Sequence, residues 1–153
     1  MTTITLESID AKQTELAEMI AAFKNSGQTI AIPAAAIALR PGERYAGLAL
    51  DDEGAPTHHL ILLPPRPNGR LNWRAAMDWA AAVGGHLPTR REQPLVFAHC
   101  KQHLKPEVHW SSEAHEDDAS YAWYCHFNYG NQLNLHKSSE AHAVAVRLIP
   151  ISA

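Results

Sequence analysis

Apolar positions change their spacing several times along the chain, and each change marks an element. Near the start, Leu16, Met19, Ile20 and Phe23 recur three and four apart, which places them on one face of a helix. Asp10 and Gln13 stand at capping-box spacing, so a helix is expected from about Ala11 to Lys24, ended by Asn25, Ser26 and Gly27. Its apolar stripe needs a partner, either the home domain or the same helix of a second subunit. Two short extended pieces, "TIAIP" and "AAIAL", follow around Pro33.

The next apolar runs, in "RPGERYAGLAL" and "HHLILLP", flank the turn-rich "DDEGAPT" and read as a hairpin. Pro64, Pro65, Pro67 and Gly69 then force a loop. "NWRAAMDWAAAVGG" predicts a helix with Asn72 as N-cap and Gly84 and Gly85 as its stop. Thr89 and Glu92 form a second capping-box pair, for a helix running toward about His103. Pro94 falls inside that span, so a kink or a delayed start is expected there. From Trp110 onward the pattern is strand and turn, closing with "AVAVRLI", where Val144, Val146 and Leu148 share a face.

The late stretch "YAWYCHFNYGNQLNLHKSS" carries the chemistry of most interest. Strand side chains alternate between faces, which places Trp123, Cys125 and Phe127 inward with Leu133 and Leu135. A three-residue loop at Tyr129, Gly130 and Asn131 keeps both apolar sets on one side, because it pairs Phe127 with Leu133 and Cys125 with Leu135. The outward face then holds Asn128 opposite Gln132, His126 opposite Asn134, and Tyr124 opposite His136. Tyrosine, imidazole and carboxamide groups together suit an adaptable recognition surface.

Composition narrows the function. The chain has 153 residues, enough for one ordinary core, with 46% hydrophobic and 19% charged residues. Its net charge is -3 and it has no basic stripe, which argues against nucleic acid as a partner. No apolar run is long enough to span a bilayer, and the start, "MTTITLESID", lacks the form of a secretory signal. A cytoplasmic location, in a host or a virion, is therefore expected, with Cys100 and Cys125 as reduced thiols. The ten histidines are the one compositional excess, and mild acid would carry the net charge from negative to positive.

Those histidines suggest no complete catalytic or metal centre. His99 and His103 lie four apart, one helical face, but Cys-Lys-Gln fills the space between them and no third ligand is evident. The acidic "HEDDASY" offers oxygen ligands, yet a solvated acidic loop is the favoured reading. Ser111 and Ser112 lack the glycine-flanked elbow of a nucleophile, and there is no phosphate-binding glycine loop. The expectation is a non-enzyme with no cofactor and no native metal.

Together, "NWRAAMDWAAAVGGHLPTRREQPLVFA", "WSSE", "YAWYCHFNYG" and "AVRLI" resemble the C-type-lectin-like domains of the formylglycine-generating-enzyme type. The resemblance runs from about Gly42 to Ile149 and is strongest to the small Lcl C-terminal-like proteins of phages and prophages. It implies an α+β fold in which two helices flank a twisted antiparallel sheet, with the N-terminal helix as an addition. It also implies recognition on the hairpin side, from Trp110 to His136. Formylglycine-generating enzymes use a late cysteine pair that Cys100 and Cys125 do not match. "RPN" at Arg66 to Asn68 and "EQPL" at Glu92 to Leu95 do not sit in the setting of a calcium-lectin motif.

The sequence thus predicts an N-terminal helix and arm over residues 1–40 and a lectin-like domain over 41–150. The expected function is non-catalytic binding of a protein or other macromolecule through Trp110, Tyr121, Tyr124, His126, Asn128, Tyr129, Asn131, Gln132, Asn134 and His136. Two alternatives stand beside it. One is a metal protein or enzyme using the histidines; the other is an architectural virion or assembly component that forms homo-oligomers through the N-terminal helix.

Overall fold

Thr5, five residues earlier than Asp10, starts the first helix. In the computed structural model, which describes residues 3–27 and 29–151, α1 spans Leu6–Asn25. Thr5 Oγ1 accepts from the Ser8 amide at 3.2 Å, and Ser8 Oγ accepts from the Thr5 amide at 3.2 Å. This reciprocal pair satisfies the donors a helix start leaves open. No residue of α1 is buried, so the stripe of Leu16, Met19, Ile20 and Phe23 faces outward. Residues 29–40 form no strand. By its contacts the chain divides into Met1–Ala31 and Ile32–Ala153, a boundary earlier than residue 40.

In the second unit β1 (Arg44–Leu50) and β2 (Pro56–Leu62) form the expected hairpin, and β6 (Val146–Pro150) pairs with the other edge of β2. Central β2 buries Leu60, Ile61 and Leu62 in succession, as a strand covered on both faces does. Arg147 clamps this sheet to the start of the hairpin. Its Nε and Nη2 donate to the two Glu43 oxygens at 2.9 and 2.8 Å, which holds the Glu43 carboxyl down at about 2.

α2 (Trp73–Ala82) begins where predicted, with Asn72 Oδ1 accepting from the Ala75 amide at 2.9 Å. α3 (Gln93–Cys100) starts late and stops early. The Thr89 and Glu92 box does form, with Glu92 Oε1 accepting from the Thr89 amide and Thr89 Oγ1 from the Glu92 amide. It closes a turn ahead of the helix, which leaves Pro94 in the first helical turn, where its missing N–H costs nothing. Beyond Cys100 the chain tightens into one 3₁₀ turn, Lys101–His103, so His99 and His103 do not share a continuous α-helical face.

The second sheet is β3 (Val108–Ala114), β4 (Tyr121–His126) and β5 (Gln132–His136), in that order. The described residues therefore make an α+β fold with three α-helices and two small three-stranded antiparallel sheets, not the single sheet expected. The segment 141–146 links them. It bridges to Leu71 and His86, donates from His142 to the Val108 carbonyl, and accepts from the Trp110 amide. Its alternation divides the core: Val144 and Val146 pack with α3, Phe127 and Cys125, while Ala141, Ala143 and Ala145 pack with α2 and Trp110. Leu148 has the parity of the two valines but lies beyond this core and is exposed.

Trp110 belongs to the interior. It is fully buried, and its Nε1 donates to the Leu71 carbonyl at 2.8 Å, so it is unavailable to a partner. Among the described residues no helix is long and apolar enough to cross a membrane.

At Gly85 an added Cβ would lie 2.5 Å from the Val146 carbonyl oxygen and 2.8 Å from Leu63 Cδ1. Gly85→Ala should therefore push the end of α2 off β6 and lower the free energy of urea unfolding by about 1–3 kcal/mol. An unchanged midpoint would mean the two backbones are not this close.

Candidate functional site

The β4–β5 hairpin forms in a register three residues away from the one parity favoured. Tyr121 pairs with His136, Trp123 with Asn134, Tyr124 with Leu133 and Cys125 with Gln132. An odd shift exchanges faces. The amides and imidazole of β5 thus lie on the side of Trp123, while Tyr124 and Ala122 share theirs with Leu133 and Leu135. The expected pairs of Tyr124 with His136, His126 with Asn134, and Asn128 with Gln132 do not form.

Phe127 lies in the turn and not opposite Leu133. Its amide donates to the Glu107 carbonyl at 3.1 Å, in line with the β3–β4 register, and its ring enters the α3 core beside Phe97 and His109. The turn closes through the His126 amide donating to the Asn131 carbonyl at 2.9 Å. Gly130 carries the chain back at φ +80°, its Cα so close to the Phe97 ring that a Cβ would lie 2.8 Å from it. Both conditions select glycine.

Trp123, expected in the core, is half-buried and held from three sides. The Arg90 guanidinium lies 3.6 Å from its ring centroid, the His115 ring stacks at 5.0 Å, and its Nε1 donates to Glu116 at 3.0 Å. Gln132 is spent internally: it accepts from Arg90 Nε at 3.1 Å and donates to the Arg90 carbonyl at 2.6 Å. Tyr121 meets His136 edge-on, and His126 lies under Tyr129 with ring centroids 5.0 Å apart.

Of the ten predicted binding residues, five are exposed: Asn128, Tyr129, Asn131, Asn134 and His136. They occupy the hairpin turn and the strand after it, with Leu133 half-exposed among them and Tyr129 at 73% exposure. Tyr121, Tyr124, His126 and Gln132 are partly covered. No spacing marked Arg90, His115 and Glu116 as the frame of Trp123, because Arg90 lies in another segment and the loop fold that returns His115 and Glu116 to the strand has no periodic signal.

The turn before α3 fixes that frame. Arg90 reaches Trp123 and Gln132, and its amide donates to Glu113 at 2.6 Å. Arg91 pairs with Asp52 and donates to the Leu50 carbonyl. Gln93 is buried and donates to the His109 carbonyl at 3.2 Å. Glu92 points inward and accepts from His58 Nε2 at 2.8 Å and His86 Nε2 at 3.2 Å. Burial would raise its carboxyl, but donors at His86, the Thr89 amide and His58 hold it below the usual range.

A second constellation lies on the other side of Phe127. His109 is buried against the Phe127 ring, and its Nδ1 donates to the Glu107 carbonyl at 2.9 Å. Burial pushes this imidazole down to about 4, so it is neutral near pH 7. His142 sits 5.4 Å from it, ring to ring, and its Nε2 donates to the Glu107 carboxylate, which Arg70 also meets at 3.0 Å. Both rings line a cleft of about 470 Å³.

The histidines whose spacing resembles a metal pair are otherwise placed. His99 Nδ1 donates to the Ala46 carbonyl at 2.5 Å, and His103 lies on the rim of the cleft. Among the described residues, His115, Glu116 and Asp117 do bring three potential ligand atoms within 4.8 Å of one another, in a loop where Glu116 and His115 are already engaged with Trp123. No known family model and no curated protein matches the chain.

The buried, neutral His109 makes stability depend on pH. Its folded value of about 4 lies below the ordinary 6.5, so the unfolded chain binds a proton that the folded one refuses. Stability should therefore fall as pH falls from 6.5 toward 4, by up to about one proton's linkage, with Glu43 and Glu92 adding further loss below 4.5. Urea unfolding across this range should show the slope, and His109→Gln should flatten its upper part. An equal slope in the variant would place the linked proton elsewhere.

Proposed function

We propose that this chain is a non-catalytic recognition domain of C-type-lectin-like architecture, encoded by a phage or prophage, that binds a protein or other macromolecule through the β4–β5 hairpin. The observation that carries the reading is the exposed group Asn128, Tyr129, Asn131, Asn134 and His136 on a hairpin whose base is tied into the core by Phe127, Gln132 and Gly130. A tyrosine and several amides on a rigid support lose little conformational freedom on binding, which favours affinity. Half-exposed Leu133 adds apolar area in their midst.

A second reading follows from α1. Its unburied stripe of Leu16, Met19, Ile20 and Phe23 suits self-association, and an architectural role in an assembly would use it. Light scattering of the full chain against a chain lacking residues 1–28 separates the two: a fall in the number of subunits per particle supports assembly through the helix, and an equal subunit number removes it.

The recognition reading is tested by affinity capture from the native host with the wild-type chain and the triple variant Tyr129→Ala, Asn131→Ala, Asn134→Ala. These side chains are exposed, so the variant should melt within a few degrees of wild type. It should nonetheless lose the captured partner, with affinity falling at least about tenfold. Undiminished capture by a folded variant would remove the hairpin as the binding surface.

A further inference from the structure

The cleft beside His109 is independent of the hairpin surface, since none of the exposed hairpin residues lines it. Its volume of about 470 Å³ lies within the range of small-molecule sites. Arg66, Gln102, His103 and Lys105 line it together with His109 and His142, and no aspartate or glutamate does. Arg66 is fixed in place there, its Nη1 donating to the carbonyls of Leu63 at 2.6 Å and Pro65 at 2.9 Å. Among the described residues neither Arg66 nor Lys105 forms an ion pair, and the one carboxylate close behind the wall, Glu107, is already taken by His142 and Arg70.

His109 gives the cleft its second requirement. Because Nδ1 carries the hydrogen donated to the Glu107 carbonyl, Nε2 is an acceptor. Among the described residues no protein donor reaches Nε2, although His109 is only 3% exposed. Among the described residues no fully enclosed side-chain nitrogen or oxygen lacks a partner, so Nε2 is not sealed off, and the cleft is the opening that the His109 ring lines. An acceptor fixed at the base of a cationic cleft calls for a ligand with two features, negative charge and a hydrogen-bond donor.

We propose that this cleft binds a small hydroxylated anion, with its phosphate or carboxylate toward Arg66 and Lys105 and a hydroxyl donating to His109 Nε2. Guanidinium and ammonium groups are the usual partners of such oxyanions. A bare cation is disfavoured by the same two side chains. A neutral polyol would leave their charge unused, and a simple anion would leave Nε2 without a donor.

The test is a titration of the full ¹⁵N-labelled chain at pH 7 with glucose 6-phosphate, and in parallel with glucose and with inorganic phosphate, following the ring nitrogens of His109. Glucose 6-phosphate should shift Nε2 saturably, and each half-ligand should bind at least about tenfold more weakly. Arg66→Gln should weaken glucose 6-phosphate at least about tenfold, while the free variant keeps the wild-type His109 resonances as proof of an intact fold. Three results would overturn the proposal. One is no saturable shift up to about 10 mM, which means the cleft holds only water; another is phosphate or glucose binding as tightly as the combined ligand. The third is Arg66→Gln binding undiminished, and should that variant lose its His109 resonances, Lys105→Gln takes its place with the same expectation.

Discussion

Four consecutive side chains, Arg90 to Gln93, fasten the turn before α3 to four different parts of the second unit. Glu92 goes inward to His58 on β2 and to His86, which itself bridges to Val146. Arg91 goes to the β1–β2 turn, Gln93 to β3, and Arg90 to both β4 and β5. A buried carboxylate is tolerated only where donors replace its water, and stripping one partner from such a charge costs about 3–5 kcal/mol. With every one of its neighbours pulling on a separate element, the turn has little freedom to move without disturbing both sheets.

The hairpin inherits its geometry from this turn. Arg90 gives Gln132 a donor and an acceptor at once, so β5 begins with a satisfied, partly covered amide, and the next polar side chains on that face, Asn134 and His136, fall outward. The same arginine lies over Trp123, a contact of about 0.5–2 kcal/mol. Small residues do the matching work on the opposite side. Ala141, Ala143 and Ala145 let the linking segment approach α2 closely, while Val144 and Val146 fill the space toward α3.

Local signals were legible in the sequence where they carried their own chemistry. Asn72 before an alanine-rich run and the paired Thr89 and Glu92 each formed the hydrogen bonds their spacing implies. The hairpin around "DDEGAPT" was equally plain. Register in the late hairpin was not, because alternation assumes that every apolar residue of a strand stays in the strand. Phe127 leaves it for a core built from α3, and only the distant Phe97 and His109 make that exit favourable. Trp110 fails the expectation for the opposite reason: it opens the Trp110 to His136 segment on which the resemblance places recognition, but its indole N–H has a buried carbonyl partner at Leu71. The His109 cleft left no mark at all, since its walls come from three separate segments, 66–69, 102–109 and 142–143.

Cross-strand proton contacts in a NOESY spectrum of the folded chain test the central claim most directly, that the turn before α3 sets the register and hence the outward face of the hairpin. Backbone contacts between Trp123 and Asn134 and between Tyr124 and Leu133 are the predicted result. Contacts of Phe127 with Leu133 and of Cys125 with Leu135 would contradict it, and would return Trp123 to the interior.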